Sequence, residues 1–364
     1  MNTLVFILIL GILVFVHELG HFLFAKLFKV RVDEFGFGYP PKLARIGSWR
    51  GTKITLNWIP FGGFVKLFGE NPDEPLSDND KKDALNYKPK WQQFLVMFGG
   101  ILFNIIFGWM LLSGSYMSGI DASVSSAPEG YQFSDTHLTI TSVLADSPAH
   151  DAGLEAGDVI KEYGTENESV IVVDENTETF SSFVNDSGSL EEEMYVVVAR
   201  GNAIESFMLT PEEGQIADRF AIGIGLDRVG TLKLSPFKAI ELGLVNTFAF
   251  IEAITLGFVQ LISGHISLDS VSGPVGIVSQ VGEASTFGIT YLIGFTALLS
   301  FNLAVLNAFP LPALDGGKIV IVIIESIIRR PLPPTVVNWI NGIGFLLLVG
   351  LMVVVTIKDV INLF

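Results

Sequence analysis

Two histidines and a glutamate stand inside an otherwise apolar stretch, Phe15-Val16-His17-Glu18-Leu19-Gly20-His21-Phe22. His17 and His21 are four residues apart, so on a helix they share a face and can hold one metal ion between them. Two neutral imidazoles take two corners of a tetrahedral zinc site, leaving room for a third protein ligand and a water. The ion lowers the pKa of that water to about 7, and the neighbouring carboxylate of Glu18 can take its proton as general base. Such chemistry hydrolyses amides. The bland alternative is a polar cluster that only pairs with other helices, as lone buried histidines often do. The spacing favours the metal, and a glutamate near the centre of a bilayer, at a cost of about 2.5–3.5 kcal/mol, needs a strong compensating partner.

The element that carries these residues runs from Asn2 to Phe28 and reads as one membrane-spanning helix. It has no basic leading region and no small-residue cleavage site, so the expectation is a retained helix rather than a signal peptide. The composition agrees. Of 364 residues 49% are hydrophobic, 29 are phenylalanine, and the mean hydropathy is +0.52, well above a soluble enzyme. There is no cysteine, which excludes disulfides, thiolate ligands and a cysteine nucleophile.

The net charge of −16 is unevenly spread. Residues 26–90 hold 12 Lys/Arg against 8 Asp/Glu, and residues 119–235 hold 5 against 22. By the positive-inside rule the first stretch is cytoplasmic and the second lies outside, and the acidic stretch is an unsuitable partner for nucleic acid. The first helix then runs inward. His17 lies roughly 21 Å along it in a hydrocarbon core of about 30 Å, which puts a metal in the cytoplasmic half of the bilayer.

Three regions follow from this: an N-terminal membrane region (1–118), an extracytoplasmic region (119–235) and a C-terminal membrane region (236–364). In the first, Lys53–Trp58 and Ile59–Lys66 read as strands and hairpins, with Gly36, Gly38, Gly62 and Gly63 at turns. Their apolar tips either dip into the membrane beside the site or form an ordinary interfacial hairpin. Trp91–Ser118 is a second span, in which Gly99, Gly100 and Gly108 allow close helix approach and Asn104 reads as an interhelical hydrogen-bonding residue rather than a catalytic one. From about 134 to 210 the pattern is that of a small soluble α+β domain. It has strands at Leu138–Leu144 and after Gly157, a short helix near Ser147–Leu154 and a hairpin around Gly201-Asn202.

Pro236–Ser263 is long enough to span but carries Lys238, Glu241 and Glu252. A crossing here would make the next helix, about 287–309, end at the wrong leaflet for the histidines. The expectation is therefore an amphipathic helix on the outer surface. The next helix then runs inward and ends in Asn307-Ala-Phe-Pro310-Leu-Pro312-Ala-Leu-Asp315-Gly316-Gly317, where two prolines stop it and the glycines permit a tight return. Asp315 can turn back as third zinc ligand, the alternative being a helix-capping role. An apolar helix at 319–330 and a last span at 336–355 complete a polytopic α-helical membrane protein of about four spans, with a membrane-associated β-loop and an inserted α+β domain.

His17-Glu18-x-x-His21 and Pro310-x-Pro312-x-Leu314-Asp315-Gly316, with a domain between the spans, together resemble the site-2 protease family of intramembrane zinc metalloproteases. The likeness is to its bacterial RseP-like branch. Phe61–Lys66 is similar to that family's membrane-associated β-loop, Ala152–Asp158 to its PDZ domain, and Ser272–Ile277 to the segment before its third helix. One PDZ-like domain is found where some members have two. The resemblance implies Zn²⁺ held by His17, His21 and Asp315, with Glu18 as catalytic base. It also implies substrate contacts at Asn302 and Asn307 and at the loop residues Phe61, Gly62, Gly63 and Phe64.

The implied activity is a zinc metalloendopeptidase in the bacterial cytoplasmic membrane. It would cleave single-span clients of anti-sigma or signal-peptide-remnant type, with the site toward the cytoplasm and the PDZ-like domain outside. That domain either captures a peptide C-terminus or filters clients by size, and its acidity favours the filter. Two other readings are a zinc-binding membrane scaffold and a metal transporter. Transport would call for acidic or histidine residues recurring along several helices, and they do not recur.

Overall fold

The computed structural model describes residues 2–70, 76–125, 131–166, 169–171, 176–201, 203–213, 219–267, 271–286 and 288–361. It divides into two compact units, residues 1–114 with 236–364, and residues 115–235.

The first unit begins with α1 (Asn2–Leu27), followed by β1 (Val32–Trp49) and β2 (Thr52–Leu67). Next come a one-turn α2 (Asp78–Lys81) and the long α3 (Lys90–Ser118). After the inserted unit the chain resumes in α6 (Pro236–Ile262), α7 (Pro274–Thr286), α8 (Ile289–Ala308), α9 (Asp315–Ile328) and α10 (Pro334–Ile361). The inserted unit holds β3 (Ile120–Ser123), β4 (Phe133–Val143), α4 (Pro148–Ala152), β5 (Val159–Thr165), β6 (Ser169–Ile171) and α5 (Thr177–Ser189). It continues with β7 (Met194–Arg200), β8 (Ala203–Leu209), the two-residue β9 (Glu212–Glu213) and β10 (Phe220–Ala221), and β11 (Ile224–Leu232).

Helices α1 and α3 touch at backbone distance. Gly20 lies against the Gly99 carbonyl, and a side chain on either glycine would strike the other helix. Small residues at a crossing permit this approach in a setting where apolar contact with lipid gives helices no net reason to associate. Farther along α3, Gly108 receives the Phe301 ring of α8.

The β-loop differs from its expected form. A tight turn at Arg50-Gly51 joins the strands; of the expected turn glycines Gly38 and Gly62 take positive φ (77° and 76°) where the chain reverses, while Gly36 and Gly63 are paired inside strands. The chain folds over on itself, so that Glu34–Phe37 is flanked on one side by Gly63–Lys66 and on the other by Lys53–Leu56. Phe15 of α1 stacks on Phe37 with centroids 4.8 Å apart and meets Phe35 edge-on, which seats the loop against the helix that carries the histidines.

Among the described residues five helices are long and apolar enough to cross a membrane: Thr3–Leu27, Lys90–Ser118, Pro236–Ile262, Ile289–Ala308 and Pro334–Ile361. The sequence reading counted about four and laid 236–263 on the surface. The exposed residues of α6 include the apolar Phe237, Val245, Phe248, Leu256 and Ile262 beside Lys238, Glu241 and Glu252, and by length and composition the helix is a candidate span as well. Phe250 pairs with Phe301 and Phe258 with Phe309, so α6 and α8 lie side by side and run in the same direction. Between them in sequence lies α7, which packs against α1 and α8. Asp359 near the end of α10 accepts hydrogen bonds from Gly273 N and Gly276 N at the start of α7 (3.1 and 2.8 Å).

In the inserted unit a seven-stranded sheet has the order β3-β11-β4-β5-β7-β8, with β6 on β5. Alternate residues Met194, Val196 and Val198 of β7 point into a core shared with Leu138, Ile140, Ile160 and Phe180, the period-two pattern of a half-buried strand. β11 lies outside the expected 134–210 domain yet pairs with β4 along most of its length. The expected β7–β8 hairpin is present, with Arg200 opposite Ala203; Asn202 lies outside the described residues. Buried Asp158 is held by both the Nε and Nη2 atoms of Arg200, each 2.7 Å away.

Replacing Gly20 by valine pushes α1 off the Gly99 carbonyl. Overpacking of this kind costs about 1–3 kcal/mol. The expected result is a lower melting temperature of the detergent-solubilised protein, and an unchanged melting curve would show that the two helices do not cross there.

Candidate metal centre

Helix α1 places His17 and His21 one turn apart on a single buried face, at 7% and 6% exposure. The carboxylate that meets them comes from the other end of the chain. Helix α8 stops at Ala308, just before Pro310 and Pro312, and Ala313 takes a left-handed conformation (φ 72°). Asp315 is then the first residue of α9. The tight return depends on Gly316 and Gly317, which lie against the carbonyls of Phe309 and Leu311 with no room for a side chain.

The result is a triangle of donor atoms. His17 Nε2 is 2.8 Å from Asp315 Oδ2, His21 Nε2 is 3.1 Å from the same oxygen, and the two Nε2 atoms are 3.1 Å apart. Among the described residues this is the one group of three or more His, Cys, Asp or Glu side chains that could close on a metal ion, with ligand atoms within 4.8 Å of one another. Two imidazole nitrogens and a carboxylate oxygen at these separations suit a zinc ion with bonds of about 2.0–2.2 Å.

The surroundings hold the rings. His21 Nδ1 donates to the carbonyl of Val96 (2.8 Å), which leaves its Nε2 lone pair facing the centre. The Asn104 amide, fully buried, lies 3.3 Å from His17 Nδ1, and Ser300 Oγ donates to the Asn104 backbone carbonyl at 2.8 Å. Asn104 thus makes the interhelical hydrogen bond expected of it, directly behind a histidine of the centre. Gly100 lets both imidazoles lie on α3, since a methyl group there would collide with His21 Nε2 and His17 Cε1.

A cavity of about 370 Å³ opens on the triangle, and Glu18, Tyr39, Phe64, Asn307 and Lys318 line it along with the three donors. Gly62 lies beside Val14 and Tyr39, and Gly63 beside Gly36 and Glu18, so the β-loop runs past the glutamate. The side chain of Phe61 lies outside the described residues. Asn302 does not line the cavity; its amide donates to Leu298 O one turn back on its own helix. Asn307 makes the equivalent bond to Leu303 O but does line the cavity, because five positions on a helix turn a side chain by about 140°.

Lys318, one turn beyond Asp315, was not singled out from sequence. Its ammonium lies 2.7 Å from Glu70 Oε1 and 3.8 Å from Asp315 Oδ1. Burial works against that charge, but the Glu70 and Asp315 carboxylates outweigh it and hold the lysine pKa above its ordinary value. The available signal was the i, i+3 spacing from Asp315. Glu70 carried none, since only the fold-back of the β-loop delivers it to this place.

Helices with a buried His-Glu-x-x-His face, a folded-over β-loop and an aspartate on a proline-stopped return describe a membrane metallopeptidase architecture. The sequence matches peptidase family M50, the site-2 protease family, over residues 5–351, and the chain belongs to that family. Relatives extend over the full length. A protein of Clostridium perfringens is 33% identical over 96% of this chain and 95% of its own. One of Clostridium acetobutylicum is 32% identical over 99% and 97%, and one of Fusobacterium nucleatum 30% identical over the whole of both chains. Each bears the name "Putative zinc metalloprotease". With its apolar helices, the chain is a multi-pass membrane protein.

Replacing Gly100 by alanine puts a methyl group where the two imidazoles lie. The expected outcome is a protein that melts near the wild-type temperature but retains far less zinc after dialysis, measured by elemental analysis. Full zinc retention would show that the rings do not rest on Gly100.

Proposed function

We propose that this protein is an intramembrane zinc metalloprotease that hydrolyses peptide bonds within the membrane-spanning segments of single-span client proteins. The observation that carries the reading is the meeting of His17, His21 and Asp315 in one buried triangle, with Glu18 on the wall of the same cavity. His17 and His21 through Nε2 and Asp315 through Oδ2 would hold the zinc, which supplies a Lewis acid for the scissile carbonyl and a water of lowered pKa.

The chain's own residues do the rest. Glu18 takes the proton of the attacking water and returns it to the leaving amine nitrogen, so the amide C–N bond breaks as the C–O bond forms. The client helix unwinds locally, because a helical peptide bond is shielded by its own hydrogen bonds. The stretch around Phe64 then offers the extended chain a strand to pair with, and the Asn307 amide offers a donor and an acceptor to the exposed peptide. Asn302 reaches the client only if its bond to Leu298 O opens. Lys318, tied to Glu70, keeps positive charge beside the oxygen of Asp315 that faces away from the histidines.

The lysine and arginine excess of residues 26–90 supports a site turned toward the cytoplasm, in a bacterial inner membrane. The acidic residues 119–235 then lie outside. In that position the PDZ-like domain acts as a filter against clients with intact outer domains. With α6 counted among the spans, five helices cross, and α7 with its flanking segments returns the chain between α6 and α8.

The test compares wild type with Glu18→Gln and Asp315→Ala in purified form, measuring zinc per chain and cleavage of a single-span model substrate. Glu18→Gln should keep zinc and lose cleavage by three orders of magnitude or more. Asp315→Ala should lose both. Cleavage retained by Glu18→Gln would sink the assignment, and zinc binding without turnover in wild type against a panel of such substrates would leave a metal-binding scaffold.

A further inference from the structure

The two histidines of the centre are held in different ways. His21 is set by a backbone carbonyl, that of Val96, whose role needs no particular side chain. His17 Nδ1 faces the amide of Asn104 at 3.3 Å, and the Gly100 backbone carbonyl is a second neighbour of the ring. That side chain is 0% exposed, and its Oδ1 has no hydrogen-bond partner. An unpaired buried carbonyl oxygen costs about 1–3 kcal/mol.

The orientation of the amide matches the protonation of the ring. With the Asn104 NH₂ group toward His17, Nδ1 must accept, so the ring proton is on Nε2, where it is donated to Asp315 Oδ2. Metal ligation through Nε2 requires the other tautomer, with the proton on Nδ1. Nδ1 then becomes a donor and cannot face an NH₂ group. A half-turn of the amide exchanges two nearly isosteric ends: the unpartnered oxygen meets the Nδ1 proton, and the NH₂ group leaves His17 for the place Oδ1 held.

We propose that Asn104 is the positioning residue for His17, its buried amide oxygen accepting the Nδ1 proton and so holding Nε2 as the metal-binding nitrogen. This rests on the zinc reading of the centre given above. It makes Asn104 a part of the metal site that acts through His17, without touching ion or substrate. Removal of an outer-shell partner of this kind typically weakens metal binding about 10–100-fold.

The experiment measures zinc affinity in detergent by competition with a chromogenic chelator, beside thermal unfolding of each protein without metal. Asn104→Leu keeps the volume and loses the acceptor; it should bind zinc about 10–100-fold more weakly than wild type. Asn104→Asp keeps an acceptor and should bind as tightly as wild type or more so. Ser300→Ala removes the bond to the Asn104 backbone but leaves the amide, and should be unchanged. If Asn104→Leu does not fold, Asn104→Val carries the same expectation. A folded leucine or valine variant with wild-type affinity overturns the inference and leaves the zinc centre standing. An equal loss in Asn104→Asp overturns it as well, because packing rather than the acceptor would then decide. Wild-type protein without zinc affinity overturns both the inference and the centre.

Discussion

The structure depends on a buried meeting of ligands that is unfavourable on its own. Two imidazole nitrogens lie 3.1 Å apart beside a carboxylate, all three side chains under 10% exposed, at the depth of helices whose outer faces are apolar. Taking polar and charged groups out of water costs several kcal/mol each unless they are paired or bound to a cation. Everything nearby serves to hold that cluster together. Gly20 and Gly99 bring α3 against α1, Gly100 makes room for the rings, and the proline-stopped end of α8 with Gly316 and Gly317 turns a carboxylate 298 residues distant from His17 back into contact with it. The pieces are rigid where the ligands are, on helices and on a turn with no slack, as a metal centre of defined geometry requires.

Around this centre the charges are arranged in pairs that cross element boundaries. Lys318 joins the start of α9 to Glu70 just after the β-loop, and Lys90 at the start of α3 meets Glu325 of α9 at 2.7 Å. Asp359 of α10 receives two backbone amides of α7. Each of these contacts fixes an element that carries or borders the donors, so the helices are tied by ionic and hydrogen-bonded contacts where apolar packing gives little preference over lipid. The β-loop is held otherwise, by Phe15, Phe35 and Phe37 and by the buried Asn57, whose amide donates to the carbonyls of Phe37 and Gly38.

What could be read from sequence was what depends on short spacing. The i, i+4 histidines, the Pro-x-Pro stop before Asp315 and the alternating strands of the inserted unit all announce themselves within a dozen residues, because helix and strand periods dictate which neighbours share a face. Residues whose role depends on long-range placement were silent. Glu70 follows a loop that doubles back on itself, β11 joins a sheet begun about 90 residues earlier, and Asn104 gains its meaning only from lying behind His17. Two of the β-loop glycines, Gly36 and Gly63, were misplaced for a related reason. Gly36 looks like a turn residue, yet it is needed inside a strand where the Phe64 ring and the Asn57 amide crowd the backbone.

On α6 two kinds of evidence pull apart: its charges favour a place at the surface, its length and apolar composition a span. Helix α8 must deliver its end, and so Asp315, to the level of His17, and the direction of α8 inferred from that requirement holds: Leu292 and Phe295 pack with Ile9 and Leu13 in one cluster while the far end of the helix reaches the donors. In the structure α6 lies alongside α8 in the same direction, and Asp359 anchors the start of α7, which lies between them in sequence. Of the three ionisable residues of α6, Lys238 and Glu241 fall in its first two turns, where a helix entering a bilayer still meets the polar interface, whereas Glu252 lies near its middle.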